Sequence, residues 1–159
     1  LLGFVLFLPA MNDTKNKRLD FFRSMIGEDM SGSISAFGRW LNGTVRVAEE
    51  GKLVADYVVR DDMTNPAGVL HGGVTSGILD DLIGAMVFTL NREFAYTSVN
   101  LTVDFLHAAR QGDTVTATAE VVRAGRNIIH CIGTITATDG KIIAKAATNL
   151  IQTSVKLPV

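Results

Sequence analysis

Hydrophobic and polar positions change period several times along the chain, and each change marks an element. Residues 15–29, KNKRLDFFRSMIGED, set Leu19, Phe22, Met25 and Ile26 on one side of a helical period and predict an amphipathic helix. The next stretch, MSGSISAFGRWLNG, reads as a Gly- and Ser-rich connector anchored by Phe37, Trp40 and Leu41. GTVRVAEEGKLVADYVVRDD holds two strand-forming runs around EEGK, a hairpin signal. From Gly72 to about Leu90, residues such as Val74, Ile78, Leu82, Met86 and Leu90 surround most of a helical circumference, which predicts a buried helix. Four strand-forming stretches follow, at about Tyr96–His107, Asp113–Arg123, Asn127–Thr138 and Lys141–Thr153, divided by the turn sequences RQGD, AGR and DG. In TSVNLTVDF, alternation puts Thr97, Val99, Leu101, Val103 and Phe105 on one face and Ser98, Asn100, Thr102 and Asp104 on the other.

The order is therefore helix, two strands, a long buried helix and four antiparallel strands. Its simplest packing is an α+β fold in which one curved antiparallel sheet wraps the central helix. Residues 1–42 form an N-terminal extension and helix, residues 43–159 the main domain, and the whole is one globular unit. Such a sheet has free edges and the helix needs further cover, so pairing of two copies is expected.

Composition narrows the class. The chain has 159 residues, 47% hydrophobic and 19% charged, which is a globular composition. A net charge of −1 gives no reason to expect nucleic acid. A single cysteine, Cys131, excludes an internal disulfide framework and fits a reducing cytoplasm. His71, His107 and His130 show no metal-ligand spacing, so no metal is expected. The opening LLGFVLFLPA falls far short of the ~20 residues that a spanning helix needs, so no membrane partner is expected. It reads as an extension ahead of a natural start at Met11, with a truncated signal peptide as the alternative.

The chemistry concentrates in residues 65–81, NPAGVLHGGVTSGILDD. A helix N-terminus exposes unpaired N–H groups and a partial positive charge. Gly72 and Gly73 let another molecule approach that backbone, where a developing oxyanion can be held; a plain tight turn is the alternative. Gly73, Ser76, Gly77, Asp80 and Gly84 form a small-residue stripe with one carboxylate at its centre. Asp81 falls on a less open face, so Asp80 is the preferred acid. Nine residues separate His71 from Asp80, about 13.5 Å of rise and half a turn, so the two cannot meet in one site on a single helix. If both serve one reaction, they come from different subunits. Asn65 in the preceding loop is a candidate for orienting water or a substrate carbonyl, or is an ordinary Asn-Pro turn residue. Ser98 is placed to bond Asp80, or is an ordinary strand serine. Arg123 and Arg126 stand among basic residues at strand ends that can hold phosphates or simply be solvated. Phe88, Met86 and Phe105 are candidates to line a pocket.

NPAGVLHGG followed by VTSGILD, with TSVNLTVDFLHAARQGD and VVRAGRNIIHCIGTITATDGKIIAKA downstream, resembles the hotdog-fold acyl-CoA thioesterases of the phenylacetate-degradation and thioesterase superfamily type. The resemblance runs from about Val45 to Gln152. It implies a hotdog fold and hydrolysis of an acyl-CoA thioester to a free acid and coenzyme A. No cofactor is implied beyond the coenzyme A of the substrate. It further implies Asp80 as general base or nucleophile, and the Gly73 N–H as the group polarising the carbonyl. His71 shapes that end of the site beside Gly72, Asn65 orients water or thioester, and Ser98 stands beside the acid. A homodimer or dimer of dimers with shared sites is implied as well. A non-catalytic hotdog module that binds acyl-CoA or an acyl carrier is the alternative.

Overall fold

The computed structural model describes residues 16–157; the reading of the first ten residues lies outside them. Helix α1 spans Lys17–Ser24 and is capped by Asn16, whose side chain accepts from the Leu19 N–H. It is shorter than the amphipathic pattern predicts. Gly27 adopts φ +89° and its N–H pairs with the Val45 carbonyl, so the chain turns away after Ser24. Leu19 and Phe22 are buried, whereas Ile26 is exposed. The connector contains a 3-10 turn at Met30–Gly32 and a short helix α2, Ala36–Leu41, which its Gly/Ser content conceals. Leu41 enters the core, while Phe37 and Trp40 stack on each other at the surface.

Strands β1 (Thr44–Glu49) and β2 (Lys52–Val58) form the expected hairpin, with Gly51 left-handed at its turn. Helix α3 spans Gly72–Phe88. Strands β3 (Phe94–Phe105), β4 (Thr114–Ala124), β5 (Ile128–Ala137) and β6 (Ile142–Lys156) complete one six-stranded sheet of order β1-β2-β4-β5-β6-β3. Every neighbouring pair is antiparallel, and α3 packs across one face of the sheet. This is the hotdog architecture. Four glycines make α3 a poor helix on propensity alone, so packing sustains it. Ile78, Leu79, Ile83 and Met86 are fully buried in the same core as Ala117, Ala119, Ile129 and Ile135 of the sheet. Gly133 of β5 permits the close approach, because a Cβ there would lie 2.8 Å from Leu79 Cδ2.

The alternation predicted for β3 breaks in its middle. Ser98 pairs with Leu150 and Asn100 with Asn149, which leaves Val99 as the extra residue of a β-bulge. Leu150, Thr148 and Ala146 of β6 are buried, so their partners Ser98, Leu101 and Val103 share the helix-facing side. Val99 is 61% exposed. The inserted residue shifts the two-residue period by one, and Ser98 rather than Val99 turns inward.

Candidate functional site

The loop into α3 is fixed by its own polar groups. Asn65 Oδ1 accepts from the Ala67 N–H at 3.0 Å and the Val69 N–H at 3.4 Å, so this oxygen shapes the turn. The Leu70 N–H reaches the Ala109 carbonyl, and the His71 N–H reaches the Met63 carbonyl. His71 is the N-cap of α3, and its Nδ1 accepts from the Gly73 N–H at 2.9 Å. A neutral His71 ring therefore carries its proton on Nε2. Among the described residues the Gly72 N–H has no acceptor.

Two turns along α3, Asp80 is exposed, and its Oδ1 accepts from Ser98 Oγ at 3.0 Å. The bulge in β3 makes this contact possible by turning Ser98 toward the helix. Asp80 lines a cavity of about 690 Å³ between α1, the connector, α3 and β3. Its wall is mostly apolar, with Phe22, Met25 and Phe88 among the lining residues. A mostly apolar cleft of this size with few polar groups is the usual form of a small-molecule site. Asn65, His71, Gly72 and Gly73 do not line it. Helical rise sets Asp80 about 10.5 Å from Gly73 along the axis. One chain therefore keeps the acid and the helix N-terminus apart.

The small-residue stripe is only partly open. A Cβ on Gly77 would lie 2.5 Å from Phe37 Cζ, so this chain's own aromatic ring covers that position. At Gly84 a Cβ would meet nothing within 4 Å. Asp81, expected on a less open face, in fact shares the cavity wall with Asp80. Its Oδ1 accepts from Ser35 Oγ at 3.1 Å. Burial pushes the Asp81 carboxyl above the usual range; the Ser35 bond opposes the shift and the Asp80 charge adds to it. Tyr57 is 4% exposed, and burial, reinforced by the Asp81 charge, raises its hydroxyl well above the ordinary tyrosine range. No sequence pattern joins Ser35, Tyr57 and Asp81, because three separate elements bring them together.

Of the apolar candidates, Phe88 lines the cavity, but Met86 is fully buried in the core. Phe105 lies beside Gly72 at the other end of α3 and does not line the cavity. Sequence reasoning missed α1 and the connector as cavity walls, since neither carries a polar motif. Arg123 and Arg126 are exposed at the end of β4 and in the turn that follows, and neither forms an ion pair among the described residues. Tyr96, a cavity residue, donates through its hydroxyl to the Arg126 carbonyl at 2.6 Å and ties that turn to the cavity. His107 Nδ1 lies 2.7 Å from the Ile142 carbonyl, and His130 Nδ1 lies 2.9 Å from Asn149 Oδ1; both rings are away from the cavity.

Comparison with known proteins gives a consistent picture. The thioesterase superfamily model matches residues 67–144. Human acyl-coenzyme A thioesterase 13 is 27% identical over 103 residues, 64% of this chain and 74% of the relative. The phenylacetic acid degradation-related protein of Ralstonia eutropha JMP134 is 31% identical, with a TM-score of 0.69 over 82% of this chain and 98% of that one. A hypothetical thioesterase protein of Streptococcus pneumoniae TIGR4, solved with coenzyme A, is 23% identical, with a TM-score of 0.68 over 73% of this chain and 92% of that one.

Proposed function

The chain belongs to the thioesterase superfamily and is a thioester hydrolase, and from that premise we propose that it cleaves an acyl-coenzyme A to a free acid and coenzyme A, with Asp80 as general base. The observation that carries this reading is the Asp80 carboxylate on the wall of the apolar cavity, oriented by Ser98 Oγ at 3.0 Å. Asp80 takes a proton from water as the water oxygen bonds to the acyl carbon. The tetrahedral intermediate then expels sulfur, and the proton returns to the coenzyme A thiolate. The chemistry calls on no group beyond the chain, water and the substrate's own coenzyme A.

The oxyanion needs donors that one chain holds about 10.5 Å from Asp80. They are the Gly73 and Gly72 N–H groups of a second copy, so the working unit is a homodimer with shared sites, alone or as a dimer of dimers. His71 Nδ1 occupies the Gly73 N–H in the resting chain, and the incoming carbonyl oxygen takes over this donor as the ring gives way. Asn65, held in its turn, orients water or the thioester from the same end. Arg123 and Arg126 bind the phosphates of coenzyme A, with Arg126 placed by the Tyr96 bond. No helix among the described residues is long and apolar enough to cross a membrane, and the buried lone thiol of Cys131 suits a cytoplasmic setting.

The test is coenzyme A release, read with a thiol reagent, which also separates catalysis from mere binding. Asp80→Asn should lower kcat by about 10²-fold or more while leaving thermal unfolding nearly unchanged. Full turnover in that variant, or an active enzyme that sediments only as a monomer, rejects the mechanism.

A further inference from the structure

We propose that Phe37 and Phe105 are the two walls of the thioester slot, one from each protomer, and that they raise turnover by keeping bulk water off the reacting carbonyl. The inference rests on the hydrolase reading and the shared site above, and it gives a role to two rings that the reading leaves unused.

Each ring bears on a glycine of α3. A Cβ on Gly77 would lie 2.5 Å from Phe37 Cζ and 2.8 Å from its Cε1. A Cβ on Gly72 would lie 3.4 Å from both Cε1 and Cζ of Phe105. Gly77 precedes Asp80 by three residues, one turn on the same side of the helix, so the Phe37 ring flanks the acid. Gly72 carries one of the proposed oxyanion donors, so the Phe105 ring flanks the donors. Both rings are braced from behind. Phe37 stacks on Trp40, with centroids 5.6 Å apart and planes at 22°. Trp40 in turn is held by Asp62 Oδ2, which accepts from its Nε1 at 3.0 Å, and by the Arg60 guanidinium 5.3 Å from its ring. Phe105 ends β3 opposite Ala144, and the following Leu106 N–H donates to the Ile143 carbonyl. Yet Phe37 is 45% and Phe105 57% exposed, so each leaves apolar ring surface open beside polar groups that act best away from water.

The two rings of one chain do not wall one slot. Five residues separate Gly72 from Gly77, about 7.5 Å of rise and 140° of rotation, so the rings sit on different sides of α3. A second copy brings them together. When the Gly72 and Gly73 donors of one protomer meet the Asp80 carboxylate of the other, Phe105 of the first and Phe37 of the second arrive with them. The thioester then lies between two apolar rings, with the carboxylate at one side and the N–H donors at the other. Hydrogen bonds to a developing oxyanion strengthen as water leaves, and soft sulfur makes favourable contacts with aromatic rings. Removing an oxyanion donor outright costs about 10²- to 10³-fold in kcat; wetting it only weakens it, so each ring is worth about 10-fold.

Phe37→Ala and Phe105→Ala should each lower kcat by about 10-fold, and Phe37→Leu and Phe105→Leu, which restore apolar cover, should recover most of it. Mixed dimers, purified through two different tags, then place the rings. With Asp80→Asn in one protomer and Phe105→Ala in the other, both lesions fall in one site, and about half of wild-type turnover should remain. Asp80→Asn paired with Phe37→Ala spreads the lesions over both sites, and turnover should fall to about one-twentieth. Should Phe37→Ala fail to fold, the Phe105 dimer carries the test. Rings that merely pack the copies together would instead give variants that dissociate on dilution and regain full kcat at high enzyme concentration. That result overturns the inference, as does an unchanged kcat in the Ala variants or a Phe105 mixed dimer reduced to about one-twentieth. Those outcomes leave the thioesterase reading intact. A fully active Asp80→Asn homodimer rejects the mechanism and this inference with it.

Discussion

Replacing Gly84 by Ala should separate stability from activity. Gly84 lies one turn beyond Asp80 in the interior of α3, it is exposed, and a Cβ there meets nothing within 4 Å. Alanine narrows the conformations of the unfolded chain and favours the helix by about 1 kcal/mol. No overpacking opposes this gain, and in a domain of this size it raises Tm by about 2–4 °C. The same methyl group projects from the cavity wall between Asp80 and Phe88. One methylene of lost room in an apolar pocket is worth about 1–3 kcal/mol, so kcat/KM for the longest acyl-CoA should fall by about 10-fold or more, with shorter chains spared. Calorimetric unfolding gives the first quantity, and coenzyme A release across a chain-length series gives the second. A lower Tm refutes the open crevice, because it requires another surface packed onto Gly84. An unchanged kcat/KM at every length refutes the cavity as the acyl site.

Two further outcomes follow from packing and charge. The Asp81 carboxyl is held above its ordinary value of 3.8, so between that value and the folded one the native state binds more protons than the unfolded chain. Stability is then fullest below 3.8 and is lost as pH rises through the folded value. Asp81→Asn should therefore unfold at higher temperature than the wild type near pH 7, with the gap closing toward pH 4; a gap independent of pH contradicts this assignment. Gly133→Ala should lower Tm by about 2–12 °C, since its Cβ would lie 2.8 Å from Leu79 Cδ2 and 3.3 Å from Ile83 Cδ1, both fully buried. An unchanged melting curve would mean that the helix stands further from the sheet.

Periodicity carried most of the fold. The hairpin, α3 and the four later strands all stand within a few residues of their predicted bounds, because each has a strong two- or 3.6-residue pattern and clear turn residues. Short α2 escaped because six residues are too few for a period, and Gly27 ended α1 early by adopting a conformation that composition does not specify. The site is legible in part. Asp80 is marked by its central place in a small-residue stripe, but strict alternation sets Ser98 on the face opposite Leu101 and Val103, and only the bulge at Val99 turns it toward Asp80. The neighbourhood of Asp81 could not be read, because Ser35, Tyr57 and Asp81 meet only through the tertiary packing of α2, β2 and α3. The His71 cap on Gly73 was likewise hidden: the sequence places an imidazole at the helix entrance but does not say which way the ring turns.

The supernumerary Val99 has a consequence for how this chain is aligned with others. Removing it would leave Ser98 opposite Leu150 and Asn100 opposite Asn149, with both flanks of the strand still in place. A homologue shorter by one residue here can therefore share the geometry on either side. Its correct alignment then carries a gap inside a strand, where scoring schemes resist one. An ungapped alignment would match the serine beside the acid to the wrong position, and motif transfer across this point is sound only when made from superposed backbones.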